Sequence, residues 1–207
     1  LKPIRKLIMT SSVYMQQSDY SEANAKVDLN NQLLWRFSPR RLEAEIIRDS
    51  MLAVGGQLDE TQFGPGTLDE AMRRRSIYFM IKRSKLIPFL QVFDTPEPLA
   101  SVGQRPSTTI APQALIFMNN PGVREYAKSF ARRIAAGEDE TIEATVRRGY
   151  MTAIARQPTD EELAASTSFV EQQMASYDSE SSQNARQLAV TDLCQVLMSL
   201  SEFVYID

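Results

Sequence analysis

The chain has 207 residues, 43% of them apolar and 24% charged, with a formal net charge of −3, the balance of an ordinary globular protein long enough to bury a sizeable core. It has no histidine and one cysteine, Cys194, which excludes Ser-His-Asp and Cys-His catalysis, the usual His-containing zinc sites, an internal disulfide and a c-type haem attachment within this segment. No run approaches the roughly 20 apolar residues of a membrane helix, and neither half is charged strongly enough to require nucleic acid: residues 1–110 hold fifteen Lys and Arg against twelve acids, and residues 111–207 eight against fourteen.

The chain opens on Leu1, and "LKPIRKLIM", with Ile4, Leu7 and Ile8 at helical spacing, reads as the middle of a helix in a longer chain. The polar stretch "SSVYMQQSDYSEANAKVDLNN" reads as loop with at most one helical turn. "SPRRLEAEIIRDSMLAVGG" announces a helix, with Ser38 as N-cap, Pro39 at the first helical position and Gly55-Gly56 as the stop. A loop broken by Gly64-Pro65-Gly66 follows, and then "SIYFMI" (76–81), rich in β-branched and aromatic residues, is the best strand candidate. "KLIPFLQVF" suggests one helical turn interrupted at Pro88.

From Pro112 onward every apolar pattern is helical. Gln113–Asn119 is short and stops before Pro121. Val123, Tyr126, Ala127, Phe130, Ala131 and Ile134 form a stripe closed by Gly137, and Ile142, Val146, Tyr150, Ala153 and Ile154 form the next. "RQPTDEEL" is a helix–helix corner in which Pro158 ends one helix, Thr159 caps the next and Glu162 completes a capping box. A last helix from about Ser182 to Leu200 is apolar on nearly all sides after Val190, which places it centrally. The expected fold is mainly α: a multi-helix bundle with at most a small β element around residues 76–82. Residues 1–110 form an N-terminal part, 111–207 a C-terminal bundle packed on it, and the two make one compact unit.

Any chemistry must rest on carboxylates, Lys, Tyr, Ser or Thr, because Cys194 sits in the apolar run "VTDLCQVLMSL" and reads as a buried, inert thiol. On a helix from Pro39 to Val54, Glu43 projects from the apolar face formed by Leu42, Ile46, Ile47, Met51, Ala53 and Val54. Such a carboxylate is either a general acid or base, or one member of an ion pair with Arg73, Arg74, Arg75 or Arg105. The opposite face, Arg41, Glu45, Arg48 and Asp49, reads as solvated, with a buried network as the alternative. Between Arg73 and Phe93 lie six cations (Arg73, Arg74, Arg75, Lys82, Arg83, Lys85) and no acid. This strip either binds an anionic polymer or guards a strand edge. In "RPSTTIAPQALIFMNN", Arg105, Thr108 and Thr109 either hold an anion at a helix N-terminus or combine a salt bridge with capping. The salt-bridge reading pairs Arg105 with Glu43 or Asp49. Glu43 and Asp94 are the weak catalytic candidates, and no metal site is expected.

Taken in order, "LIMTSSVYMQQS", "RRLEAEIIRDSMLAVGGQLD", "RRRSIYFMIKRS", "FDTPEP", "QRPSTTIAPQALIFMNNP", "ARQPTDEE" and "SEFVYID" resemble the planctomycete C-terminal domain called domain of unknown function 1553. The resemblance spans nearly the whole chain and includes no catalytic motif. It implies a parent protein exported to the periplasm or cell surface, with an upstream cytochrome-c-like module carrying haem c, and an association with bacteria that degrade complex, often sulfated, polysaccharides. No cofactor is expected in this segment itself. Three functions are compatible with these features: a non-catalytic scaffold or docking module for a fused or partner cytochrome-c-like domain, a domain binding or processing carbohydrate or sulfated polyanions through residues 73–85, and the substrate-site part of a haem-linked oxidoreductase.

Overall fold

A computed structural model describes residues 1–99, 101–135, 140–177 and 182–206. The chain forms two compact units, one from Leu1 to Arg41 with the chain end from Tyr205, the other from Leu42 to Val204. The 110/111 position falls inside the second unit, at the start of a helix. Ten helices and one two-stranded sheet account for the regular structure of the described residues, a mainly α fold.

In the first unit, α1 (Lys2–Met9) carries Pro3 in its first turn, where a missing N–H costs nothing. The polar stretch after it contains one short helix, α2 (Glu22–Val27), capped by the Ser21 hydroxyl. Strand β1 (Arg40–Arg41) pairs antiparallel with β2 (Tyr205–Ile206), Arg40 opposite Ile206 and Arg41 opposite Tyr205. The helix expected from Ser38 and Pro39 therefore begins later, at Ala44. Proline's fixed φ suits extended backbone as well as a first helical turn, and here β2 supplies hydrogen-bond partners that draw residues 40–41 into a strand.

Little of this unit is packed: Ala25, Asn31 and Arg41 are its buried residues. Hydrogen bonds hold it instead. The Asn31 side chain donates to the Arg36 carbonyl (2.7 Å) and to Ser38 Oγ (2.9 Å), and its oxygen accepts the Arg36 N–H. Trp35 Nε1 donates to the Asp28 carbonyl at 2.8 Å. The Arg36 guanidinium lies 5.3 Å from the Tyr20 ring and 5.2 Å from the Trp35 ring, within cation–π range of both.

The second unit begins with α3 (Ala44–Val54), which Gly55 and Gly56 end, Gly56 in the left-handed region at φ 66° that suits a residue without Cβ. After loops come α4 (Pro88–Val92), α5 (Ala111–Asn119), α6 (Pro121–Ile134), α7 (Ile142–Ile154), α8 (Asp160–Ser176), α9 (Ser182–Ser199) and α10 (Ser201–Val204). Pro88 opens α4 rather than interrupting it, as the N–H it lacks would be unsatisfied there anyway. Residues 76–81 are not a strand. Ser76–Tyr78 form one 3₁₀ turn, and the extended backbone is limited to isolated bridges, Thr67 with Phe79 and Lys82 with Lys85. Ile77 and Ile81 there are exposed, and the segment pairs with the backbone only at the Thr67–Phe79 bridge among the described residues, so its strand-like composition is not drawn into a ladder.

The core gathers on α9, which packs most extensively on α6 and α8 and also touches α5, α7 and α10. Ala189, Val190, Leu193, Cys194, Leu197 and Met198 of α9 are buried, as are Phe130, Ile134, Val146 and Val170 on the helices that pack on it. The helix is less uniformly apolar in use than in composition, since Val196 stays 46% exposed. At Gly149 of α7 a Cβ would stand 2.9 Å from Leu197 Cδ1, so glycine allows α7 to approach α9 closely. Asn120 caps α6, Thr141 caps α7, and Thr159 with Glu162 forms the expected reciprocal box on α8. Gly137, expected to close α6, lies outside the described residues.

Candidate functional site

The arginines of the second unit divide by what their guanidinium groups touch. Arg48, on the α3 face expected to be solvated, is 3% exposed and contributes to the buried network that was the alternative. Its Nη atoms donate to the Arg74 carbonyl (3.3 Å), the Glu70 carbonyl (3.4 Å), the Met72 carbonyl and Ser76 Oγ (3.1 Å), and it stacks 4.7 Å from the Phe79 ring. Asp49 beside it accepts the Ser76 N–H and hydroxyl, each at 2.7 Å, with Arg75 at 3.9 Å. Irregular backbone from 70 to 76 exposes carbonyls that no ladder satisfies, and a five-donor guanidinium is well suited to collect them. Arg74 repeats the device, donating to the carbonyls of Thr61, Phe63 and Pro65 while lying 3.6 Å from the Tyr78 ring. Within the basic strip, then, Arg74 is committed to backbone, whereas Arg73, Lys82, Arg83 and Lys85 are exposed.

Arg105 is a third clasp. It pairs with Glu43 at 3.1 Å and with Glu45 at 2.8 Å, and it also donates to Thr95 Oγ1 (3.0 Å) and the Asp94 carbonyl (3.2 Å). It thereby ties the entrance of α3 to the turn at Asp94. Glu43 is the N-cap residue of α3 and its side chain is 59% exposed, so it does not project from the apolar face; the later helix start rotates it out. Thr108 does not cap α5 either. Its N–H and hydroxyl both donate to the Asp94 carboxylate at 2.8 Å, and the N-cap position is Ile110, whose N–H is met by Gln113 Oε1 at 3.4 Å.

A cavity of about 560 Å³ lies elsewhere in the second unit, lined by Gln57, Glu70, Arg73, Tyr126, Ser129 and Arg132 among others. A shallower depression at the Gly55–Asp59 turn shares Gln57, Arg73, Ser129 and Arg132 with it. Gln57 donates to the Ser129 hydroxyl, which in turn donates to the Glu125 carbonyl at 3.0 Å.

The family model of the protein of unknown function DUF1553 matches residues 1–170. The chain belongs to that family. No curated protein and no solved structure matches it significantly.

In this DUF1553 chain the residues singled out from sequence do not converge. Of Glu43, Asp94, Arg105, Thr108, Thr109, Arg73, Arg74, Arg75 and Arg83, only Arg73 lines the cavity. Glu43, Asp94, Arg105 and Thr108 meet one another in the α3 clasp, where Arg105 pairs with Glu43 and donates to the Asp94 carbonyl, and Thr108 donates to the Asp94 carboxylate. Gln57, Tyr126, Ser129 and Arg132 carried no short-range signal, because the cavity assembles from segments some seventy residues apart. Arg48 was legible as a cation on a helix face with a buried network as its second reading, but its carbonyl partners at 70–74 were not.

The perturbed acids and bases are also structural. Arg156 links Glu162 (2.7 Å) and Glu202 (2.6 Å), joining the start of α8 to α10. The Arg156 guanidinium and the Thr159 N–H hold the Glu162 carboxyl down at about 2. Burial pushes the Cys194 thiol well above its ordinary range, which leaves it protonated and inert. Among the described residues no three His, Cys, Asp or Glu side chains are grouped to hold a metal ion, and no helix is long and apolar enough to cross a membrane.

Proposed function

We propose that this chain is a non-catalytic helical module that docks a cytochrome-c-like domain, fused or separate, through the open face of α1. The observation that carries the reading is that no residue of α1 is buried, while Ile4, Leu7, Ile8 and Met9 are each 55–72% exposed. Val13, Tyr14 and Met15 continue the same apolar exposure. Ile8, Val13, Tyr14, Leu34 and Phe37 also line a depression of about 450 Å³ in that unit, room for a partner's side chains. Contiguous exposure of this kind marks an interaction surface. Lys2, Arg5 and Lys6 stand among these residues, so the complementary partner presents an apolar patch rimmed by acids.

The rest of the molecule supports a role without chemistry of its own. Arg48, Arg74 and Arg105 are committed to backbone and structural acids, and the lone thiol is buried. The haem, and any electron transfer, belong to the docked module, in keeping with an exported parent protein at the periplasm or cell surface. Calorimetric titration of the chain with the cytochrome-c-like module of its own polypeptide tests this. A dissociation constant of about 1–10 μM is expected, weakening about tenfold in the K2E/R5E/K6E variant and with added salt. No heat of binding at about 100 μM of either component contradicts the reading.

A further inference from the structure

We propose that the cavity lined by Arg73 and Arg132 binds a small polyol-like molecule carrying one oxyanion group, a carboxylate, sulfate or phosphate. The volume, about 560 Å³, falls in the range of small-molecule sites. Arg73 and Arg132 differ from the arginines around them. Arg48 and Arg74 are occupied by carbonyls, and Arg133 closes the end of α3 by donating to the carbonyls of Ala53 (2.7 Å) and Val54 (2.9 Å). Among the described residues Arg132 engages through its Nε, on the Lys128 carbonyl at 3.3 Å, which orients the guanidinium, and no partner is found for its terminal nitrogens. Among the described residues no carboxylate comes within ion-pairing distance of Arg73 or Arg132. Two exposed guanidinium groups line this one cavity, and the planar fork of each matches an oxyanion with two hydrogen bonds.

The same cavity limits the charge such a ligand can carry. Glu70 and Glu125 also line it, Glu125 held to Lys128 at 2.6 Å. Carboxylates on the wall repel a polyanion and accept hydrogen bonds from hydroxyl groups, so a single anionic group on a hydroxylated body fits where a sulfated polymer does not. The hydrogen-bonded Gln57 and Ser129 pair gives the wall further donors and acceptors. The α6 entrance borders the cavity but is already used, since Asn120 Oδ1 accepts the Gly122 and Val123 N–H groups. All these residues belong to the second unit, so the site is independent of docking through α1.

The test is calorimetry of the chain with glucuronate, glucose 6-sulfate, glucose 6-phosphate and neutral glucose. At least one of the charged probes is expected to bind at about 1 mM or tighter, with glucose weaker by about tenfold or more. R73Q/R132Q is expected to lose about tenfold or more in affinity at an unchanged melting temperature, and R83Q, outside the cavity, to bind like the parent. Which charged probe binds best assigns the oxyanion. Equal binding of glucose, equal binding by R73Q/R132Q, or no binding of any probe at about 10 mM overturns the proposal. Should the double variant fail to fold, amide shifts in the parent chain decide: changes at Gln57 and Ser129 on adding the probe support the site, and changes confined elsewhere overturn it.

Discussion

The two units of this chain solve the same problem differently. The unit from Leu42 to Val204 buries a helix-centred core around Leu193, Leu197 and Met198 and collects the stray carbonyls of its loops with arginines. The unit from Leu1 to Arg41 buries almost nothing, relies on the Asn31 and Asp28 hydrogen bonds and the Tyr20–Arg36–Trp35 stack, and keeps its large apolar residues in water. Burial of apolar area dominates folding energy, so the first region has surface to offer and the second carries a stable core of its own.

Substitutions sharpen that contrast. Leu197→Ala removes a side chain that is 1% exposed at the centre of α9 and is expected to cost about 2–5 kcal/mol in chemical denaturation. A cost under about 0.5 kcal/mol would place the core elsewhere. Arg48→Ala leaves the carbonyls of Glu70, Met72 and Arg74 without their donor and is expected to cost about 2–4 kcal/mol, with early amide exchange across residues 70–79. Arg105→Ala comes next, at about 1–2 kcal/mol: its side chain is 23% exposed and its Glu43 partner 59%, so solvent screens much of the pair. The smallest effect is on pH dependence. Glu162 has its folded pKa lowered to about 2 from an ordinary 4.5, so its contribution is present above about pH 4.5 and is lost as pH falls toward 2. Discounted for solvent, that contribution is about 1 kcal/mol, and acid titration of E162Q should lack it.

Local signals in the sequence located most of the helices. The 3.6-residue stripes of α6 and α7 and the Thr159–Glu162 box of α8 depend on residues within one or two turns, and the chain folds accordingly. Non-local pairing defeated the same reasoning. Ser38-Pro39 would open a helix but for Tyr205–Ile206, and the composition of 76–81 suits a strand, yet among the described residues the segment finds only the single bridge from Phe79 to Thr67. The Arg105–Glu43 pair was anticipated from an unpaired carboxylate and a stiff loop, yet Glu45 entered as the closer partner and Asp49 turned instead to Ser76. The cavity was out of reach, since Gln57, Arg73, Ser129 and Arg132 meet only once α3 packs on α6.

The central claim is that the apolar face of α1 serves a partner and not the fold. Leu7 is 72% and Ile8 55% exposed, so Leu7→Glu with Ile8→Glu should leave the melting temperature within about 1 °C of the parent chain. The most direct measurement is calorimetric titration of that variant with the cytochrome-c-like module, its melting curve recorded on the same sample. Unchanged melting with binding weakened about tenfold or more is the predicted result. A variant that melts several degrees lower, or that binds the module as tightly as the parent, would contradict it.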